Sequence, residues 1–281
     1  MIRLGFHLSI AGAISNSARE AAEMSYGAFQ LFTTSSRSWK NSELDPTDCN
    51  QFIKSNSDNK IIPYAHMPYL CNLASSNEDV YKKSIQMLAD NINNCNKLKV
   101  ECLVVHIGSH LGSGTDNGIK RVCNALRKTL DSTEKVTILL ENGSGYNNSV
   151  GSKFEEIGKI LDNVSDPRIR VCFDTCHAFA AGYDLRTDEA VEKTIALLDS
   201  AISFSSIKLV HLNDAKHELG SGLDRHWNIG KGHIGRNGFV SLFGNKNFRE
   251  GSFVMETPVS GPESHENDMA AITSIIKEAT R

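Results

Sequence analysis

Eight short apolar runs constrain this chain more than any other feature. They read "IRLGF" (2–6), "AFQLF" (28–32), "IIPYA" (61–65), "CLVV" (102–105), "VTILL" (136–140), "RVCF" (170–173), "IKLV" (207–210) and "SFVM" (252–255), at intervals of roughly 25–45 residues. Runs this short and this rich in Val, Ile, Leu and Phe suit strands buried on both faces, as in a parallel sheet. Between them lie amphipathic helical patterns. Tyr81, Ile85, Leu88, Ile92 and Cys95 step by four, three, four and three, and Val191, Ile195, Leu198 and Ile202 form a second one-sided stripe. That second stripe follows an acidic first turn, Asp188 and Glu189, which suits the helix dipole. Strands and helices alternating in eight units over 281 residues predict an α/β fold, a TIM (β/α)8 barrel, as one domain over residues 1–281. A doubly wound open sheet is the competing architecture, and no GxGxxG follows the first run to support it.

Composition narrows the setting. The chain is 40% hydrophobic and 22% charged, ordinary values for a globular protein, and no Pro-rich, Gly/Ser-rich or single-charge run divides it. The opening "MIRLGFHLSI" lacks a basic region before a long apolar stretch, and no apolar run approaches the ~20 residues of a membrane span. Seven cysteines at irregular spacing do not form a disulfide pattern. These features predict a cytoplasmic protein in a reducing compartment, with no membrane partner.

The residue at the end of each run carries the chemistry. His66 comes after the third, His106 after the fourth, Glu141 after the fifth, Asp174 after the sixth, His211 after the seventh and Glu256 after the eighth; His7 comes after the first. In a barrel these positions gather at the C-terminal mouth, where active sites form. A lone histidine after a strand is usually a satisfied core or loop residue. Three His, two Glu and an Asp in one register are different, because such a cluster is costly to desolvate unless cations compensate it. In "FDTCHAFAAGYD" (173–184), His177 stands three residues beyond Asp174, displaced from the ring but within reach of a neighbouring ion. In "GSGLDRHWNIGKGHIG" (220–235), Asp224 and His226 are two apart, so an extended loop points both the same way. Mixed His and carboxylate ligands favour zinc, with manganese or iron as alternatives. Cys176 reads as packing rather than as a ligand.

"FDTCHAFAAGYD", "HLNDAKHELGSGLDRHWNIGKGHIG" (211–235), "HMPYLCNLAS" (66–75) and "METP" (255–258) resemble the endonuclease IV family of zinc-dependent apurinic/apyrimidinic endonucleases, over essentially the whole chain. The resemblance implies a TIM barrel and a trinuclear zinc site with manganese as a substitute. By it, His66, His106 and a bridging Glu141 hold one ion; Glu141, Asp174, His211 and Glu256 hold a second; and His177, Asp224 and His226 hold a third, which Asp174 does not bind. It implies base-excision repair of double-stranded DNA by a monomer. The phosphodiester 5′ to an abasic sugar is hydrolysed to a 3′-hydroxyl and a 5′-deoxyribose phosphate. Glu141 and Glu256 are the catalytic carboxylates, Glu256 also orienting the attacking water. Arg37, Tyr69 and Leu70 are the DNA-penetrating residues; the plainer readings are that Arg37 stacks on Trp39 and that Tyr69 and Leu70 pack a loop. The formal net charge of −3 fits DNA poorly, but three divalent ions carry +6 and take it to +3, placed where a phosphate would bind.

Two stretches depart from the family pattern, "TTSSRSWK" (33–40) and "ENGSGYNNSVGSKFEEI" (141–157), both near the expected DNA contacts. The rival reading is a single-metal sugar isomerase or epimerase of a related barrel, for which Glu141, Asp174, His211 and Glu256 would suffice. His66, His106, His177, Asp224 and His226 are then surplus, and they favour the nuclease.

Overall fold

A parallel ladder closes on itself. In this computed structural model, which describes residues 1–41, 43–130, 135–259 and 264–281, eight strands form the barrel. They are β1 (Ile2–Leu8), β2 (Ala28–Phe32), β3 (Ile62–His66), β4 (Cys102–His106), β5 (Thr137–Glu141), β6 (Ile169–Asp174), β7 (Ile207–His211) and β10 (Gly251–Met255). Each pairs in parallel with its sequence neighbour, and β10 closes against β1. Two-residue strands β8 (Asp214–Ala215) and β9 (His226–Trp227) form a separate antiparallel pair above the mouth. All eight predicted runs are strands.

The helices are α1 (Ser15–Glu23), α2 (Pro46–Asn59), α3 (Glu78–Leu98), α4 (Thr115–Thr129), α5 (Phe154–Val164), α6 (Thr175–Ala180), α7 (Asp188–Ile202), α8 (Gly235–Gly244) and α9 (Ser264–Ala279). Local chemistry explains their ends. Asn77 accepts from the amides of Asp79 and Val80 to start α3, and Lys99 stops it in the left-handed conformation. Thr187 accepts from the Ala190 amide to start α7. Asp45 caps α2 with Pro46 at its first position. The predicted stripes face inward: Tyr81, Leu88, Ile92 and Cys95 are buried and Ile85 half-buried on α3, and Val191, Ile195, Leu198 and Ile202 are buried on α7.

Two apolar layers result. The larger lies between barrel and helices. The smaller fills the barrel itself: Ala28, Tyr64, Val104, Leu139, Cys172, Leu209 and Val254. Side chains alternate across a strand, so the residue two positions on shares the same inward face. From Tyr64 that residue is His66; from Val104, His106; from Leu139, Glu141; from Cys172, Asp174; from Leu209, His211; and from Val254, Glu256. The polar ring stands directly on the apolar filling.

Candidate metal centre

The ring residues lie one position earlier relative to their strands than the sequence suggests. His66, His106, Glu141, Asp174 and His211 are the last residues of β3 to β7, not the first of the loops. The ladder reaches them: His106 pairs with Glu141, and Asp174 with His211. The second pairing depends on a register shift between Val171 and Cys172, where the β7 partner jumps from Ile207 to Leu209. Without that shift Asp174 would face Val210. Glu256 follows β10 directly.

Three groups of ligand atoms come together: His66, His106 and Glu141; Glu141, Asp174, His211 and Glu256; and Asp174, His177 and His226. Glu141 joins the first two. Its Oε2 lies 3.2 Å from His66 Nε2 and 3.0 Å from His106 Nε2, and its Oε1 lies 3.0 Å from His211 Nδ1. Glu256 Oε2 is 3.3 Å from the same His211 Nδ1. In the third group His226 Nε2 lies 3.6 Å from Asp174 Oδ2 and 3.5 Å from Asp224 Oδ1, while His177 Nε2 is 3.2 Å from Asp224 Oδ1. Asp174 therefore sits in this group as well as the second. The sequence-based expectation separated Asp174 from the ion of His177; α6 begins immediately after Asp174, whose Oδ1 accepts from the His177 amide at 2.7 Å, and that cap folds the two together. Asp224 is the most open of the acids, its side chain 45% exposed.

The imidazoles are aimed by their outward nitrogens. His66 Nδ1 contacts the Met67 carbonyl at 2.7 Å, His177 Nδ1 the Asn142 carbonyl at 3.0 Å, His226 Nδ1 the Glu256 carbonyl at 3.3 Å, and His211 Nε2 the Gln30 Oε1 at 2.8 Å. A carbonyl only accepts, so each of these nitrogens carries the proton and the other presents a lone pair to the cluster. His177 Nε2 and His226 Nε2 are buried without a hydrogen-bond partner and face carboxylate oxygens. A lone pair against an anionic oxygen is satisfied by a shared cation. This donor set, three or four histidines and carboxylates per group with carbonyl partners behind the imidazoles, fits divalent metal.

Charge balance points the same way. Burial opposes ionisation of Glu141, yet the His106 and His211 side chains hold its carboxyl well below the usual range. Burial also works against the charged form of His177 and His211; Asp174 and Asp224 lift the former well above an ordinary histidine, and Cys172, Glu256 and Glu141 the latter.

Polar side chains outside the predicted set hold this geometry. Asn142 Oδ1 accepts from the Asp174 amide at 2.8 Å and its Nδ2 donates to the Asp174 carbonyl at 3.1 Å. Asn213 donates to Asp174 Oδ2 at 2.8 Å and accepts from the Glu256 amide at 2.8 Å. Gln30 and His7 lie against Glu256 Oε1 at 2.7 and 3.3 Å. The asparagines follow their strands in "EN" (141–142) and "HLND" (211–214), which is the available signal. Cys176 is buried, its Sγ facing the Arg225 carbonyl at 3.6 Å, and burial pushes its thiol up.

A pocket of about 400 Å3 opens beside the cluster, walled by Tyr69, Asn72, His106, Tyr146, His177 and Asp224. Tyr69 is 55% exposed and sets its ring edge-on to Phe32 and His106. Leu70 is half-buried beside it and Arg37 is exposed in the loop after β2. Among the described residues no cation–π contact joins Arg37 to Trp39.

A closed barrel with this mouth defines the class: the xylose isomerase-like TIM barrel, whose family model matches residues 18–276. Within that class, the chain is 40% identical over 279 residues to "Probable endonuclease 4" of Methanoculleus marisnigri, covering 98% of this chain and 99% of the relative. Endonuclease IV from Thermus thermophilus matches with a TM-score of 0.88 at 33% identity, covering 98% of this chain and 99% of that one. The chain belongs to the endonuclease IV family. A D-tagatose 3-epimerase-like protein has a TM-score of 0.75 at 20% identity, covering 99% of this chain and 100% of that one, a likeness of fold alone.

Proposed function

We propose that this chain cuts the phosphodiester 5′ to an abasic sugar in double-stranded DNA, using three zinc ions, and leaves a 3′-hydroxyl and a 5′-deoxyribose phosphate. One observation carries the reading: His66, His106, His177, Asp224 and His226 converge beside the four residues that a one-ion isomerase would need. The epimerase-like fold therefore does not favour the isomerase reading, since the surplus ligands have no task there.

His66, His106 and Glu141 would hold the first ion, Glu141, Asp174, His211 and Glu256 the second, and His177, Asp224 and His226 the third, with Asp174 placed to support the third as well. When bound, the ions supply a nucleophile active at neutral pH and positive charge for the phosphate oxygens and the leaving 3′-oxygen. Glu256, fixed at Oε1 by the Gln30 amide, orients the attacking water through its other oxygen. Glu141, a member of both the first and the second ligand group, would hold the two sets in one frame. Tyr69 and Leu70, at the rim of the 400 Å3 pocket, and Arg37, on the adjacent loop, would press into the duplex where the base is missing. An abasic nucleotide has no base to unpair, so its extrusion into the mouth is cheap.

All seven cysteines are free and none is exposed, which supports a reducing, cytoplasmic setting; the one closed barrel supports a single domain over residues 1–281, which we take to work as a monomer. Among the described residues no helix is long and apolar enough to cross a membrane. The test is direct: a duplex with one abasic site should be nicked 5′ to the site with the ends named above. A protein that leaves that duplex intact while interconverting a ketose would establish the isomerase instead.

A further inference from the structure

Seven barrel strands bring an ionisable side chain to the mouth on their inward face; β2 brings Gln30. Ala28, two residues before it, belongs to the apolar filling of the barrel, so strand parity alone turns Gln30 into the cluster. The side chain is fully buried, and both ends of its amide are engaged. Oε1 lies 2.8 Å from His211 Nε2. Nε2 lies 2.7 Å from Glu256 Oε1 and 2.9 Å from His7 Nδ1. A carboxylate oxygen accepts, so the amide nitrogen must face Glu256 and the amide oxygen must face His211.

Two further assignments follow from that orientation. His211 carries its proton on Nε2, which leaves the Nδ1 lone pair facing Glu141, Asp174 and Glu256. Glu256 has Oε1 occupied, which directs Oε2 to the cluster, 3.3 Å from His211 Nδ1. The amide nitrogen also lies 2.9 Å from His7 Nδ1, which itself stands 3.3 Å from Glu256 Oε1, so the three side chains share one contact point. One neutral side chain thus sets the tautomer of His211 and the facing of the Glu256 carboxylate.

We propose that Gln30 is a positioning residue for the ion held by His211 and Glu256, acting through those two ligands and not on the substrate. The inference rests on the metal-dependent reading above. Outer partners of this kind hold ligands in the productive tautomer and rotamer, and their loss commonly costs about 10–100-fold in metal affinity or turnover.

Gln30→Met, similar in volume, removes all three contacts. Zinc affinity of the intact protein, read by competition with a chromogenic chelator, should fall about 10–100-fold for one ion while the others stay within about threefold. Turnover on an abasic duplex should fall with it, with KM within about threefold. The metal-free melting temperature should fall by less than that of the zinc-loaded protein, since the buried amide's own hydrogen bonds are lost in both. Gln30→Glu separates the two halves of the role: it keeps an acceptor for His211 but sets a carboxylate against Glu256. It should keep zinc within about threefold of wild type and lose turnover. Zinc affinity and turnover unchanged in Gln30→Met would overturn the proposal. So would a metal-free melting temperature that drops as far as that of the loaded protein, since Gln30 would then be structural only. If Gln30→Met does not fold, Gln30→Glu with normal turnover would overturn it equally. A wild-type protein that binds no zinc would instead sink the metal-dependent reading itself.

Discussion

Asp174 and His211 are ladder partners, with His211 Nδ1 3.8 Å from Asp174 Oδ2, because the β6–β7 register slips by one residue below them. The slip is a bulge-like irregularity, a device that re-aims a side chain at the end of a strand. Here it brings a carboxylate and an imidazole from neighbouring strands to the same height. Asp174 then reaches His226 with the same oxygen, at 3.6 Å, and so belongs to two ligand groups.

That sharing shapes the outcome of removing the loop ligands. Asp224→Ala with His226→Ala leaves the eight barrel strands and the core untouched, and changes outside the core usually cost little stability. Bound zinc, counted by elemental analysis after gentle purification, should fall from about three to about two, because Asp174 and His177 alone are too few for a stable site. Incision should collapse, since the phosphate loses a charge commonly worth several kcal/mol in the transition state. Near-normal cutting by the double variant would rule out a three-ion mechanism.

Prolonged chelation should abolish incision and lower the melting temperature together. The ring is crowded with buried acids and imidazoles that only cations or protons can balance, so loss of metal is felt by the fold as well as by the chemistry. Adding zinc back should restore both. Full activity in protein shown to be zinc-free would refute the dependence.

Gly158, on the face of α5 that meets α7, has no room for a side chain: a methyl there would run into the Ala201 carbonyl oxygen. That atom is backbone and cannot swing away. Gly158→Ala should cost about 1–3 kcal/mol by forcing the helices apart, with turnover per folded molecule unchanged. A calorimetric scan that matches wild type would mean the α5–α7 contact yields freely.

Acid sensitivity has one identifiable contributor far from the mouth. Asp166 hydrogen-bonds the Arg168 guanidinium at two atoms, 2.9 and 2.7 Å, and this holds its carboxyl down at about 2 against an ordinary 3.8. A depressed carboxyl stabilises the fold fully above its unfolded value, and that contribution is lost as pH falls through its folded value. Asp166→Asn should therefore lower stability by about 1 kcal/mol at pH 7, once solvent screening is allowed for. The gap from wild type should narrow between about pH 4 and pH 2. Urea midpoints that differ equally at pH 7 and pH 3 would assign the loss to shape rather than charge.

The barrel is legible in the sequence because strands buried on both faces must be apolar throughout, and helices covering them must be apolar on one side only. "CLVV" and the α3 stripe need no tertiary information. Residues at strand ends are legible because an acid or imidazole that terminates an apolar run has few structural reasons to be there. Gln30 is hidden for the opposite reason. It lies inside "AFQLF", with Leu31 and Phe32 still to come, so only the pleat of the folded strand shows that it reaches the mouth. The double membership of Asp174 is hidden too, since it depends on a register slip and a six-residue helix that bring distant atoms together. Asp48 is a third case: a residue of α2, it accepts from the amides of Ile14 and Ser15 and so caps α1 from 33 residues away in the chain.

The apolar filling beneath the ring has one more effect. Ala28, Tyr64, Val104, Leu139, Cys172, Leu209 and Val254 stopper the barrel, and the Tyr64 hydroxyl reaches the Lys208 carbonyl at 3.4 Å below them. Among the described residues this filling makes the barrel interior a packed core rather than a pore, so the mouth backs onto a closed floor. Substrate enters and nicked DNA leaves through a single doorway. On the function proposed above, residues that hold substrate at the rim would also decide how long product blocks the next turnover, so tighter docking there should trade capture against release.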